Sequence, residues 1–344
     1  MSSSQPETVP RKRQRTDTDA PVETETTSTL LGKYTRDDEF WFDDGTVILE
    51  AQGTCFRVYR GWLAKHSDVF SSLFSLPQPA DSEHIGDCPV VHVSDRPEEL
   101  LHLLRALFNV HMFDDHVTPI EFQVVASIVR MCHKYQVQEL FGNAMSLLKA
   151  YFTDDLDIYC KRLQGESTAS PRLSIAAGDA VTAVNLARLT NTDSILPVAM
   201  YECCQLGSKA IVEGISRPDG TFEMLQSTDQ IRCIDGNMNL VAEHIGGMNG
   251  VFKKEAYCRN AYGSCGNMLR ELRAGIVRVQ GNVWTAVLEP WDGFVPKSLQ
   301  LCQDCRKSFL ADDVARRKKA WGLLPKLMGV NVKGWDSSKA AAPA

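Results

Sequence analysis

The chain has 344 residues, a hydrophobic content of 44% and a formal net charge of −6. This length and apolar content can fill about two domains with their own cores. The acidic balance argues against a nucleic-acid partner, and any such contact would need a local basic patch. Because the N-terminus is polar and no run of about eighteen apolar residues occurs, neither a secretory signal nor a membrane span is expected, and we expect an intracellular protein. The eleven cysteines are expected to be reduced, since their irregular spacing does not suggest a disulfide framework.

The first 36 residues are rich in Ser, Thr, Pro, Asp and Glu and lack apolar periodicity, which predicts a disordered tail over 1–36. Four positive charges lie close together in it, at Arg11, Lys12, Arg13 and Arg15. A flexible basic peptide of this kind is typical of a nuclear-import signal. It also occurs as a charge cluster that keeps a tail solvated, and the sequence leaves both alternatives open.

Alternation and turn residues predict a small sheet after this tail, with folding expected to begin near Phe40. Residues 47–49 form a short strand, Gln52-Gly53 supplies a turn and residues 55–59 return as the second strand of a hairpin. Residues 90–93 give a third strand. The pattern then becomes helical after Tyr59, and Ser67 is placed to cap a short helix whose apolar face is Val69, Phe70, Leu73 and Phe74.

Three further helices are predicted before residue 155. One begins near Pro97, and a second follows the capping-box pattern at residues 118–121, with Thr118 as the expected cap. A third begins near Val137. The predicted order is therefore hairpin, helix pair, strand and three helices.

This order, and the residues from 56 to 74, resemble the signature of the BTB/POZ domain. The positions that match are Phe56, Val58, Arg60, Leu63, Ala64, Ser67, Val69, Phe70 and Phe74, and Tyr59 stands where the family usually has His. The chain is also similar to a set of fungal, basidiomycete-like BTB/POZ proteins through Trp41 and residues 44–47, 74–77, 133–137, 301–305 and 321–325. The resemblance implies an α+β fold: a BTB/POZ domain over 38–155, with a small sheet flanked by a helical cluster, followed by a mostly helical C-terminal region.

The second half is expected to begin after a linker at 156–172, whose later part is polar and contains a proline. We expect a mostly α-helical domain over 173–335, including two helices around a break at residues 191–194. Residues 276–284 could pair as two short strands around Gly281-Asn282 or form an irregular insert, and the sequence leaves both alternatives open. The last residues, 336–344, are expected to be frayed.

The cysteines of the second half give the strongest indication of a site. Cys302-x-x-Cys305 has the spacing of a ligand pair, and Cys258 and Cys265 lie upstream, so four thiolates could hold a tetrahedral structural zinc ion. The six residues between Cys258 and Cys265 exceed the usual spacing, and ordinary reduced cysteines remain the alternative. A redox role is weaker, because no βαβ pattern surrounds the pair.

The basic run at residues 316–319, followed by Trp321, has two interpretations. It could contact phosphates while the indole stacks on a base. The preferred interpretation is the solvated face of a C-terminal helix whose Trp321, Leu324 and Leu327 pack inward. The sequence contains no glycine-rich phosphate loop, Gly-x-Ser-x-Gly or His-Glu-x-x-His motif, so we do not expect an enzyme.

The resemblance implies a non-catalytic interaction module that associates with itself or with another protein, while the C-terminal half recruits a second partner. Asp44 and Arg60 are the nearest matches to the charged pocket of BTB dimers, and Trp62 and Val69 are expected to offer apolar surface. A cullin ubiquitin-ligase adaptor and a nuclear co-regulator with a structural zinc site are the alternatives. In many BTB adaptors a hydrophobic-x-Glu motif near the loop after the second helix helps to bind the cullin. That motif is not matched here, since residues 81–83 read Asp-Ser-Glu, with Asp at the hydrophobic position.

Overall fold

The structure is a computed structural model that describes residues 33–77, 82–109, 111–113, 118–165, 172–217, 220–252, 258, 264–278, 284–291 and 301–335. It divides into two compact units. The sheet unit contains the chain up to Arg60 together with Pro77–Arg96, and the helical unit contains Gly61–Leu76 together with the chain from Pro97 onward. The architecture mixes helices with small sheets, in agreement with the α+β class.

The sheet unit is one five-stranded sheet with strand order β1-β3-β2-β5-β4. Its strands are β1 Thr35–Trp41, β2 Val47–Ala51, β3 Thr54–Val58, β4 His84–Ile85 and β5 Cys88–Val93. β2 and β3 form the predicted antiparallel hairpin. Gln52 and Gly53 turn it with φ values of 46° and 94°, the left-handed conformations that tight hairpin turns require.

Two pairings of the sheet are parallel and join strands that are not adjacent in the sequence. β2 runs parallel to β5 and β1 runs parallel to β3. All five residues of β2, including Glu50, are buried, since the strand lies between β3 and β5. Strand β1 begins at Thr35, earlier than the Phe40 at which folding was expected to begin, because the backbone of residues 35–41 pairs with β3. Residues 1–32 of the predicted tail lie outside the described residues.

The helical unit contains the remaining elements. Its helices are α1 Arg60–His66, which begins in the sheet unit, α2 Asp68–Ser75, α3 Pro97–Phe108, α4 Phe122–Tyr135, α5 Gln138–Tyr151, α6 Leu156–Leu163, α7 Asp179–Leu189, α8 Leu196–Gln205, α9 Ser208–Glu213, α10 Ser227–Val251, α11 Ser264–Arg278 and α12 Gln303–Leu327. A 3-10 turn, Asp193–Ile195, precedes α8. Two-residue strands pair as β6 Ile120–Glu121 with β7 Leu173–Ser174, and as β8 Ile215–Ser216 with β9 Phe222–Glu223.

The predicted cap at Ser67 is confirmed. Its hydroxyl oxygen accepts a hydrogen bond from the Phe70 backbone N–H at 3.0 Å. The same hydroxyl donates to the Tyr135 carbonyl at 2.5 Å, and the Phe70 ring stacks on that of Tyr135 with centroids 4.4 Å apart. Capping α2 therefore also fixes it against the end of α4.

The start of α4 differs from the capping-box prediction. The helix begins at Phe122, with Glu121 as its N-cap and no side-chain capping bond. Residues 120 and 121 are extended instead, since the Ile120 N–H donates to the Arg172 carbonyl and pairs β6 with β7. A pairing partner more than fifty residues away outweighs the local signal of Thr118.

Two other segments differ from the sequence-based expectation. The stretch predicted as the 156–172 linker begins with helix α6, because Leu156 and Tyr159 are buried and the Tyr159 ring packs 5.3 Å from that of Trp321. Residues 276–278, for which a strand was one alternative, complete helix α11, and residues 279–283 lie outside the described residues. The predicted break between α7 and α8 is confirmed, with Asn191 at a φ of 52°.

Candidate metal centre

The four cysteines singled out in the sequence come together at the N-terminal ends of two helices. Cys302 is the N-cap of α12 and Cys305 lies in its first turn. Cys265 is the second residue of α11, and Cys258 precedes that helix. The backbone N–H groups at a helix N-terminus are unsatisfied and carry a partial positive charge, so this position favours thiolates.

The sulfur positions fit a tetrahedral ion. All four Sγ atoms lie within 4.8 Å of one another, and those of Cys258 and Cys302 are 3.9 Å apart. Four sulfurs each about 2.3 Å from a zinc ion would be separated by about 3.8 Å, whereas a disulfide requires about 2.0 Å. Cys265 is buried and the other three are half-buried. The arrangement therefore matches a closed four-sulfur site, and the predicted cluster is confirmed.

Hydrogen bonds and burial give the thiols of the cluster different pKa values. The backbone N–H of Cys305, with the neighbouring thiols, lowers the pKa of Cys302. Burial and the hydrogen bond with Cys302 raise the pKa of Cys305. For Cys265 the backbone N–H of Cys302, 3.4 Å from its sulfur, acts to lower the pKa, but burial and the thiols of Cys258 and Cys302 raise it overall. A divalent cation would replace this shared-proton arrangement with four metal–sulfur bonds.

The cluster sits beside an apolar core that joins α10, α11 and α12. Its buried members are Met248, Val251, Leu272, Trp291 and Phe309. Each of the three helices contributes at least one of these side chains. An ion that fixed the N-termini of α11 and α12 would therefore also fix the relative positions of the helices that form this core.

The other cysteines of the described chain do not join this centre. Cys203 and Cys204 are buried on α8, as predicted. A hydrogen bond with Cys233 and burial raise the pKa of both. They are core thiols.

Arg316 is a structural residue that the sequence interpretation placed wrongly. It was assigned to a solvated helix face, yet its side chain is 4% exposed. It donates to the carbonyls of Val287 and Glu289 at 2.5 and 2.7 Å, and to Asp313 at 2.7 Å. Its guanidinium lies 3.9 Å from the centre of the Trp291 ring. Trp321 and Leu324 are buried as expected, but the basic run is not uniformly solvated.

The predicted interaction residues of the sheet unit are both exposed. Asp44 accepts a hydrogen bond from the Tyr59 hydroxyl at 2.8 Å, so two residues that were singled out in the sequence contact each other. The Arg60 backbone N–H donates to the Thr46 hydroxyl at 2.9 Å. These contacts fix the backbone between β3 and α1.

Trp62 and Val69 are only half-buried, but Trp62 already has neighbours in its own unit. Its indole N–H donates to the Leu107 carbonyl at 3.3 Å, and its ring packs against His66 and Phe108. Much of the surface expected from Trp62 is therefore covered by α3 and α1. Val69 lies on α2 and remains a candidate contact.

The remaining predicted sites are placed as follows. The basic residues Arg11, Lys12, Arg13 and Arg15 lie outside the described residues. In the segment weighed as a cullin contact, Glu83 accepts a hydrogen bond from Tyr34 at 3.0 Å and also contacts His92 at 2.9 Å. Its carboxylate is therefore occupied within the sheet unit.

Within the described residues, no helix combines the length and the apolar character that crossing a bilayer requires. A comparison with models of known protein families found no match, and a comparison with curated proteins found none either.

Proposed function

We propose that this chain is a non-catalytic protein–protein interaction protein of the BTB/POZ kind, whose helical unit is held in shape by a structural zinc ion. The observation that carries the zinc proposal is the convergence of Cys258, Cys265, Cys302 and Cys305 within 4.8 Å. Four thiolate ligands leave no open position for substrate or water, which is typical of structural rather than catalytic zinc.

The interaction role rests on the segment that resembles the BTB/POZ signature. Strand β3 is followed by two short helices, and Ser67 caps the second of them. This is the local structure that the resemblance implies. In such a module we expect the chain to associate with itself or with another protein, with Asp44 and Arg60 as candidate contacts of the sheet unit and Val69 as a separate candidate contact of the helical unit.

Metal analysis of the purified full-length protein tests the zinc site. We expect about one zinc equivalent per chain, since a four-sulfur site holds one ion. Cys302→Ser and Cys305→Ser should each lose most of it. Cys160→Ser is the matched control, because Cys160 is half-buried like Cys302 but lies outside the cluster. Less than about a tenth of an equivalent in the unsubstituted protein, or equal loss in the control, would refute the site.

Light scattering of the full-length protein tests the association. Arg60→Asp reverses an exposed charge of the predicted pocket, and we expect a lower average mass or loss of a bound partner. Lys149→Asp, which makes the same change at an exposed position of α5, should have no effect. Equal behaviour of the two variants would count against the predicted surface. Proximity labelling in the native cell would then identify the partners.

A further inference from the structure

Helix α10 carries apolar side chains on both of its faces. Its inner face supplies Cys233, Leu240 and Met248 to the core of the helical unit. On the outer face Ile231 is 60% exposed, Ile234 45%, Met238 70% and Ile245 44%. A surface helix normally presents polar or charged side chains there. Single exposed apolar residues need no explanation, but a row of them along one helix does.

These side chains follow the spacing of a coiled-coil seam. Ile231, Ile234, Met238, Val241 and Ile245 are separated by three, four, three and four residues, so they lie on one line along the helix. We call this set the outer α10 stripe. Val241 is half-buried.

The exposed area is large enough to form an interface. Val212, 52% exposed, extends the stripe because its carbonyl accepts a hydrogen bond from Gln230 in the first turn of α10. The patch is on the order of 500 Å², comparable with the largest apolar patch of typical monomers. Burying it on two copies gives about 1,000 Å², the lower limit for a specific protein interface.

The stripe is complementary to itself in one orientation. A two-fold axis through Met238 that sets two copies of α10 antiparallel places Ile231 against the second copy's Ile245, since both lie seven residues from Met238. Ile234 then faces the second copy's Ala242, a small side chain that allows close approach. The antiparallel orientation also places the positive end of each helix dipole beside the negative end of the other.

The charges beside the stripe are compatible with this register. Asp235 is exposed and flanks the stripe. In the antiparallel pair its carboxylate lies beside the second copy's Ala242 and Asn239, so the two Asp235 residues do not face each other. No charged side chain belongs to the stripe itself.

We propose that the chain self-associates through the outer α10 stripe, with the two α10 helices antiparallel and Met238 on the two-fold axis. This contact lies on the helical unit and does not depend on the Asp44 and Arg60 region of the proposed function.

Sedimentation of the full-length protein over a range of concentrations tests the contact. Met238→Glu removes two apolar side chains from the centre of each dimer and sets two carboxylates together, so its dissociation constant should rise on the order of a hundredfold or more. Ile158→Glu is the matched control, because Ile158 is 42% exposed on a different helix, α6, and should leave association unchanged. The same shift is expected whether or not Arg60→Asp is also present.

Three outcomes would overturn the proposal. The first is an unsubstituted protein that stays monomeric at high concentration. The second is association that Met238→Glu does not weaken more than Ile158→Glu. The third is a Met238→Glu variant that lowers the thermal stability of the dilute monomer without changing association, since the stripe would then be covered within its own chain.

Thiol cross-linking tests the orientation. With a short bismaleimide reagent, Met238→Cys should give a 238–238 link between copies, identified by mass spectrometry against the background of the unsubstituted chain. Ile231→Cys alone should give no 231–231 link, whereas Ile231→Cys combined with Ile245→Cys should give a 231–245 link. A 231–231 link would show a parallel pair and overturn the antiparallel arrangement.

Discussion

Replacing Arg316 with alanine is the substitution whose effect the structure specifies best. The side chains of Arg316 and Asp313 are 4% and 3% exposed. The guanidinium also satisfies two backbone carbonyls, those of Val287 and Glu289. Burial lowers the pKa of Arg316, while Asp313 opposes that shift. Alanine would leave the carboxylate and both carbonyls in a dry environment with fewer partners.

Removing one member of a buried ion pair costs about 3–5 kcal/mol of stability. Asp313 keeps a contact with Arg317 at 3.2 Å, which offsets part of that loss, so we expect Arg316→Ala to lower the free energy of unfolding by about 3 kcal/mol. Lys319 belongs to the same basic run but is 63% exposed and pairs with Glu243. Lys319→Ala should cost only about 0–1 kcal/mol.

Urea unfolding of the full-length variants, followed by the tryptophan fluorescence that Trp291 and its neighbours provide, measures both values. Arg316→Lys is a further control, because lysine keeps the charge but cannot donate from a planar fork to several acceptors. Its loss of unfolding free energy should lie between those of Arg316→Ala and Lys319→Ala. If Arg316→Ala and Lys319→Ala destabilise the protein equally, the buried network does not contribute to stability as argued.

Two further predictions concern the sheet unit and the helical unit. The ring nitrogens of His92 contact Glu50 at 2.6 Å and Glu83 at 2.9 Å, and the hydrogen bond to Glu50 raises the pKa of His92. The stability that protonated His92 contributes is therefore complete below the unfolded pKa of about 6.5. It is lost as the pH rises through the raised pKa of the folded state. Burial acts to raise the pKa of Glu50, but His92 and the Gly53 N–H lower it overall, so its contribution is lost in acid. The stability difference between the protein and His92→Gln should therefore be largest between about pH 4.5 and 6.5 in pH-dependent thermal unfolding, and a flat profile would contradict it. Gly214→Ala should destabilise the protein more than Gly207→Ala in chemical denaturation. Both glycines have φ above 80°, but of the two only Gly214 has a neighbour that an added Cβ would meet, the carbonyl oxygen of Glu223 at 2.6 Å. Equal losses for the two would show that the backbone conformation alone sets the cost, about 1–3 kcal/mol.

The four-cysteine cluster was predicted in outline from the sequence, because Cys302-x-x-Cys305 is a local pattern. The pattern could not decide whether Cys258 and Cys265 complete it, since the two pairs are separated by about forty residues. The structure decides this by placing the N-termini of α11 and α12 together. Cys265 contributes although the six-residue gap made the pairing doubtful, because its position on α11 and not its spacing from Cys258 brings its sulfur into reach.

The basic run 316–319 shows the opposite case. Nothing in four consecutive cations indicates which one turns inward. Arg316 is buried because Asp313 lies one helical turn before it and because the chain at residues 287–289 presents carbonyls to that face. The run of charges suggested a solvated helix face, but contacts with residues 287–289 bury Arg316.

The sequence by itself determined the features encoded within a few turns of chain: the β2–β3 hairpin, the Ser67 cap, the apolar faces of the helices and the break before α8. Hydrogen bonds and side-chain spacing over fewer than about twenty residues are sufficient for these. Only the tertiary structure decided the parallel pairing of β1 with β3, the β6–β7 contact that displaced a local capping box, the assembly of four thiols and the burial of Arg316. The last three depend on groups far apart in the chain, and the first depends on a parallel pairing that no tight turn between the two strands can set, so packing and not local preference fixes each of them.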